Sequence, residues 1–162
     1  MADFTYLLRP QSLQEMSGQT HIIAPDKPLY TLIKNQTLAH IFLFGPPGTG
    51  KTTLARIIAK MQDRPFYEFN ATSLKIDQLR KIFIQYENAL QKPLIFIDEV
   101  HRLAKNQQEV LLPVMENNSA LIIGASTENP YFSLTAAMRS RSMLFELKAH
   151  TDEDLALLAK RA

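Results

Sequence analysis

The chain has 162 residues, 46% of them apolar and 21% charged, with a formal net charge of +2. That is an ordinary globular composition, enough for one core or slightly more, and too nearly neutral to announce a nucleic-acid partner by charge alone. There is no cysteine, which excludes disulfides, thiolate metal sites and thiol catalysis. No run approaches the roughly eighteen apolar residues of a membrane span. Met1-Ala2-Asp3-Phe4 lacks the basic start of a signal peptide. The expectation is a cytoplasmic protein with no membrane partner.

Residues 1–40 show weak periodicity. Arg9-Pro10 and Pro25-Asp26-Lys27-Pro28 read as extended or turn segments, because proline restricts itself and its predecessor. Short helices fit residues 11–16, stopped by Gly18, and residues 28–38, with Leu29, Leu32 and Ile33 on one face. Ile41 to Phe44 reads as a buried strand. It runs into Gly45-Pro46-Pro47-Gly48-Thr49-Gly50-Lys51-Thr52, the Gly-x-x-x-x-Gly-Lys-Thr pattern of a phosphate-binding loop that opens a helix. Three of the five glycines lie in it, as expected where backbone must pass close to something or take positive φ. Leu54, Ile57, Ile58 and Met61 give the following helix one apolar face. Arg64-Pro65 breaks that helix, and Phe66 to Phe69 is a short strand. Thr72 or Ser73 then caps a helix ending near Gln91, with Leu79, Ile82, Phe83, Tyr86 and Leu90 on one side.

Leu94-Ile95-Phe96-Ile97 is apolar on both faces and belongs in the middle of a parallel sheet; it ends in Asp98-Glu99. Residues 106–116 are helical in pattern, with a kink expected at Pro113, which cannot donate to the carbonyl of Glu109. Leu121 to Ile123 is another buried strand, ending at Gly124-Ala125-Ser126-Thr127. Asn129-Pro130 starts a turn, residues 134–141 form a short helix and residues 143–147 a last strand. Thr151 caps a helix whose first turn holds Asp152, Glu153 and Asp154. Strands alternate with helices throughout, which predicts an α/β fold with a parallel sheet and helices on both faces. The chain stops inside an amphipathic helix, so a further domain is expected beyond it.

The chemistry concentrates at strand ends. In Pro47-Gly48-Thr49-Gly50-Lys51-Thr52-Thr53, backbone N–H groups from Gly48 to Thr52 can point at phosphate oxygens, and the helix N-terminus adds partial positive charge. Lys51 reaches the β- and γ-phosphates, and the Thr52 hydroxyl is placed for a magnesium ion. Asp98, at the carboxyl end of a central strand, can hold that ion through water. Glu99 can polarise the attacking water as a general base. Thr127, ending the next strand, can orient that water. Arg139 or Arg141 can reach into a neighbouring subunit's site to stabilise transition-state charge. His101-Arg102 follows the acid pair and is structural, sensing or DNA-facing. His21, His40 and His150 lack metal-ligand spacing.

These residues resemble a known family. Gly45 to Thr52 is similar to the Walker A loop of AAA+ ATPases, and Leu94 to Arg102 to their Walker B segment, in the form used by clamp loaders and branch-migration motors. The nearer resemblance is to the replication-associated recombination protein A family, whose eukaryotic relative is the Werner-helicase-interacting protein. It rests on Leu8-Arg9-Pro10 with Gly18-Gln19-Thr20-His21, on Asn106-Gln107-Gln108-Glu109 through Leu112-Pro113, and on Ile123 to Pro130. The resemblance implies a P-loop NTPase fold: a five-stranded parallel sheet between helices, with the helical lid truncated. It divides the chain into an adenine-side segment (1–40), a large α/β subdomain (41–150) and the start of the lid (151–162).

It also implies roles. Thr127 looks like sensor 1 and Arg141 like the trans-acting arginine finger, with Ser142 where clamp loaders usually carry cysteine. Arg9 and Pro10 would lie against the adenine, with Ile22 and Ile23 packing on the base. The lid's sensor 2 arginine would lie beyond the chain. The implied activity is DNA-stimulated ATP hydrolysis with magnesium, in replication-fork maintenance, recombination and repair. The implied partners are DNA forks, ends or single-strand/duplex junctions, a single-stranded-DNA-binding protein, and further copies of the chain through a missing carboxyl-terminal region. The implied location is the cytoplasm, at the nucleoid. The alternatives are a clamp-loader subunit or Holliday-junction motor and, in another class, a nucleotide-binding interaction module with little hydrolysis. Glu128-Asn129-Pro130 and Gln107-Gln108 favour the recombination family; the intact Asp98-Glu99 favours hydrolysis.

Overall fold

The computed structural model describes residues 9–16, 18–35 and 39–161. Five strands form one parallel sheet: β1 (His40–Phe44), β2 (Phe66–Asn70), β3 (Leu94–Asp98), β4 (Leu121–Ser126) and β5 (Ser142–Glu146), in the order β2-β3-β4-β1-β5. The helices are α1 (Thr20–Ile23), α2 (Pro28–Lys34), α3 (Lys51–Met61), α4 (Ile76–Gln85), α5 (Lys105–Asn117), α6 (Ala136–Ser140) and α7 (Asp152–Arg161). The expected parallel α/β sheet is what the chain forms.

Strand alternation divides the core in two. Ile41, Leu43, Leu94, Phe96, Leu121 and Ile123 face one way and pack with Leu54, Ile57 and Ile58 of α3 and Leu29 and Ile33 of α2. Phe42, Ile95, Ile97 and Ile122 face the other way, onto Leu79 and Ile82 of α4 and Leu111, Val114 and Met115 of α5. Both faces of the central strands are therefore covered, which is why these strands read as unbroken apolar runs. Because β1 lies between β4 and β5, the carboxyl ends of β3, β4 and β1 open side by side along one edge of the sheet.

Several boundaries differ from expectation for identifiable reasons. The helix predicted to follow a Thr72 or Ser73 cap starts only at Ile76. Asn70 first closes a turn, accepting Thr72 N–H on Oδ1 at 3.0 Å and Leu74 N–H on its carbonyl at 2.9 Å. The Gln78 side chain then accepts Lys75 N–H at 3.0 Å. The same helix stops at Gln85 rather than Gln91, since Lys92 Nζ reaches back to the carbonyls of Tyr86 and Glu87, both at 2.9 Å. Leu90 is fully exposed, not on the buried face. Residues 11–16 give only a 3₁₀ turn, Leu13–Glu15, and α6 is shorter than the predicted 134–141 because Thr135 caps it, accepting Met138 N–H at 3.3 Å. The predicted helix 28–38 is helical to Lys34, and residues 36–38 lie outside the described residues.

Helix α5 runs through Pro113 to Asn117. Pro113 and Glu109 are both exposed, so the carbonyl that loses its donor is on the solvent side. The glutamines before it are stitching groups. Gln107 Nε2 donates to Leu74 O at 2.9 Å. Gln108, buried, donates to Ser133 O at 2.9 Å and accepts Thr135 N–H at 2.9 Å. Thr151 caps α7 as expected: Asp154 N–H donates to Thr151 Oγ1 at 3.2 Å and Thr151 N–H to Asp154 Oδ2 at 2.9 Å.

Candidate nucleotide site

The loop between β1 and α3 is held from three sides. Its first residue, Gly45, donates to Ser126 O at 3.1 Å, tying it to β4. A Cβ on Gly45 would stand 2.1 Å from Leu147 O, so only glycine lets the end of β5 pass this close. Gly50 takes φ +93 as the N-cap of α3, a left-handed turn that aims the first N–H groups of the helix into the loop. Thr49 is buried and its hydroxyl donates to Pro46 O at 2.9 Å, so its side chain braces the loop from within.

Lys51 Nζ lies inside the same loop, 2.7 Å from Gly45 O, 2.9 Å from Pro46 O and 3.2 Å from Thr49 Oγ1. Burial lowers its pKa from the ordinary value, and the nearby Asp98 carboxylate pulls it back up. The ammonium therefore sits between loop carbonyls and an acid, where a phosphate oxygen replacing one carbonyl would meet a positive charge already desolvated.

A cleft of about 520 Å³ opens above this loop. Pro47, Gly48, Thr49, Gly50, Lys51, Thr52 and Thr53 form its floor, and Asp98 and Thr127 close one wall. The cleft thus joins residues 47–53, 98 and 127, which the sequence leaves apart and the strand order brings together. Thr52 and Asp98 offer a hydroxyl and a carboxylate, hard oxygen donors of the kind that magnesium shares with phosphate and water. Among the described residues no cluster of three or more His, Asp or Glu side chains competes as a metal site.

Two lining residues were not singled out from sequence. Arg56 lies four residues past Thr52, one helical turn on, and bonds Glu68 of β2 at 2.6 Å; both face the cleft. The i, i+4 spacing on the loop's own helix was the available signal for Arg56. Nothing local marked Glu68.

A model of the "ATPase family associated with various cellular activities (AAA)" matches residues 41–151. The chain belongs to that family. An uncharacterized AAA domain-containing protein of Mycobacterium tuberculosis is 40% identical over 158 residues, covering 96% of this chain and 35% of its own length. Replication-associated recombination protein A of Escherichia coli is 39% identical over 151 residues, 91% of this chain and 34% of its own. Among solved structures, the Thermotoga maritima RuvB Holliday junction branch migration motor superposes with a TM-score of 0.76 at 31% identity, over 95% of this chain and 53% of that one. The chain spans about a third of the length of the curated relatives it matches.

In this AAA chain the remaining predicted residues are placed as follows. Glu99 adopts φ +51 and its carboxylate lies 3.6 Å from the Arg102 guanidinium, beside rather than in the lining of the cleft. Arg9 lines the phosphate cleft, while Pro10 lies with Ile57, Lys60 and Phe66 in an adjoining hollow of about 260 Å³ on the outside of α3. Ile22 and Ile23 are buried in the core. Ile23 also borders a mostly apolar hollow of about 220 Å³ with Leu13, Met16, Gly18 and Tyr30.

Arg141 is exposed at the end of α6, donating to Ala137 O at 3.0 Å and paired with Glu116 at 3.2 Å. It precedes β5, whose first residue pairs with His40 at the start of β1. The phosphate loop follows the other end of β1, a strand's length of about 13–16 Å away. Arg139 is instead held under its own loop, donating to Leu134 O at 2.6 Å with its guanidinium 4.3 Å over the Tyr131 ring. Of the two arginines, Arg139 is the one stacked on a ring, while Arg141 pairs with the exposed Glu116.

Among the described residues no helix is long and apolar enough to cross a membrane.

Proposed function

We propose that this chain is the ATP-hydrolysing core of a DNA-dependent ATPase acting in replication-fork maintenance and recombination, with each active site shared between subunits. The observation that carries the reading is the convergence of Lys51, Thr52, Asp98 and Thr127 on one cleft. The similarity to replication-associated recombination protein A over most of the chain supports the cellular role.

The reaction is in-line attack of water on the γ-phosphorus of ATP: the new P–O bond forms as the bond to the β-bridging oxygen breaks, leaving ADP and phosphate. N–H groups of residues 48–52 and the Lys51 ammonium bind and orient the phosphates. A magnesium ion held by Thr52 and Asp98 would neutralise phosphate charge when bound. Thr127 positions the attacking water and Glu99 accepts its proton. Glu99 must first turn from Arg102, an exposed pair whose loss costs at most about 1 kcal/mol. Because Arg141 lies at the far edge of the sheet from its own loop, it serves the neighbour's γ-phosphate. The base occupies the apolar hollow beside Ile23, and Met16 links that hollow to the loop, its Cε 3.1 Å from where a Cβ on Gly50 would stand.

The likeness to the RuvB motor favours a second reading, a branch-migration motor. The deciding experiment is ATP turnover of the full-length protein with and without forked or junction DNA, beside Glu99→Gln. DNA-stimulated turnover that the variant loses is expected. Wild-type turnover no faster than that of Glu99→Gln would sink the hydrolytic reading, and turnover indifferent to DNA would sink the DNA-dependent one.

A further inference from the structure

His101 lies behind the cleft rather than in it, with a side chain only 18% exposed. Its Nδ1 is 2.7 Å from Ser126 Oγ, a hydroxyl at the carboxyl end of β4 that is 1% exposed. The same hydroxyl accepts Glu128 N–H at 3.1 Å. On the other side of the ring, Nε2 stands 3.8 Å from Glu128 Oε1. With Ser126 O–H donating to Nδ1, the Nε2 proton is left to face the Glu128 carboxylate. The imidazole thus engages the residues immediately before and after Thr127, the residue between them that lines the cleft.

The other end of the connection is the acid pair. His101 belongs to the 3₁₀ turn Val100–Arg102, which starts directly after Glu99. Arg102 N–H donates to Glu99 O at 2.8 Å, and Asp98 Oδ1 accepts Glu99 N–H at 2.8 Å. Asp98-Glu99 therefore sits on a short, internally bonded turn that carries His101 at a fixed offset. The β3–β4 ladder ends at the pair Ile97–Gly124, short of both Asp98 and Thr127. Beyond that pair, the described hydrogen bond between the acid-bearing turn and the Thr127 loop is the one between Ser126 Oγ and His101 Nδ1.

We infer that His101 is a positioning residue that clamps the loop carrying Thr127 to the turn carrying Asp98 and Glu99, so that the water-orienting hydroxyl and the acids are held as one unit. The inference rests on the hydrolytic reading above for its kinetic consequence, but not for the clamp itself. Small misplacements of a positioned group cost heavily in rate and little in binding when the ligand is gripped elsewhere. Here the grip is the phosphate loop, which His101 does not touch.

The test uses the full-length protein with His101→Ala and His101→Asn, since an asparagine side chain places a polar atom where Nδ1 was and can still meet Ser126. In His101→Ala, kcat is expected to fall about 10–100-fold with KM and the affinity for a fluorescent ATP analogue unchanged within about threefold. His101→Asn should recover most of that loss. Amide hydrogen exchange of residues 126–129 should be at least about tenfold faster in His101→Ala than in wild type, and near wild type in His101→Asn. The clamp is overturned if exchange at 126–129 is unchanged in His101→Ala, if kcat stays within about twofold, if the effect falls on KM, or if asparagine is no better than alanine. Should wild-type turnover not exceed that of Glu99→Gln, the ATPase reading fails while the exchange comparison still decides the clamp.

Discussion

His40 provides a quantitative test of the core. It opens β1, is 3% exposed, accepts Ile122 N–H on Nδ1 at 3.1 Å, and places Nε2 3.0 Å from Met115 O. This geometry suits the neutral ring with its proton on Nε2, because a proton on Nδ1 would confront the Ile122 N–H. Burial accordingly lowers the pKa below 6.5, opposed by the bonds to Met115 and Asn118 and reinforced by Arg64. The sign follows from linkage: the unfolded chain takes up a proton at the ordinary histidine value while the folded chain resists it. Stability from this group is full above about pH 6.5 and declines as pH falls, until the folded ring is itself protonated. The loss one pH unit below the ordinary value is at most about 1.4 kcal/mol, the limit reached if the folded ring stays wholly neutral. For a chain of this size that limit corresponds to a fall in Tm of about 3–6 °C. The assay is thermal unfolding at pH 7.5 and 5.5 of wild type and His40→Asn, which keeps an acceptor for Ile122 N–H and does not titrate. Wild type should lose more stability than the variant over that interval, by at most about 1.4 kcal/mol. An equal loss in both, or a His40 that titrates by NMR at or above 6.5, would refute the reasoning.

Two further outcomes are expected. Gln108→Leu should destabilise the chain by about 1–3 kcal/mol in urea unfolding, because it leaves Thr135 N–H and Ser133 O without their described partner; a variant as stable as wild type would show that Gln108 is not the stitch described here. Mixing full-length Lys51→Ala and Arg141→Ala subunits should restore ATP turnover, since about a quarter of the interfaces in a random equal mixture combine an intact Lys51 site with an intact neighbouring Arg141. No recovery at any ratio would remove Arg141 from a trans role.

Much of the site is legible in the sequence because its signals are short-range. A strand, a glycine-rich turn and a helix start fall within thirteen residues, and Gly48 and Gly50 take positive φ in that turn as the pattern implies. The apolar run Leu94 to Ile97 ending in Asp98-Glu99 is equally local: burial on both faces and acids at the exit follow from four side chains and their neighbours. The Asn106-Gln107-Gln108 segment is visible as a pattern, but its purpose is not, since Gln107 and Gln108 satisfy backbone groups in other elements.

What only the tertiary structure decides is which strand ends become neighbours. Inserting β1 between β4 and β5 puts Ser126 against Gly45 and Leu147 against the phosphate loop. It lets Gln19 bond both backbone groups of Lys148, 129 residues away, at 2.7 and 2.9 Å. The pairing of β3 with β4 places His101 where it meets Ser126, 25 residues on. Such pairs carry no local periodicity, because the free energy that fixes them is the burial of a whole sheet and not the preference of any segment. The sequence by itself therefore determined the fold class, the phosphate cradle and the acid pair. The strand order determined that Asp98 and Thr127 share a cleft, that Glu68 and Arg56 border it, and that Arg141 stands at the opposite edge of the sheet.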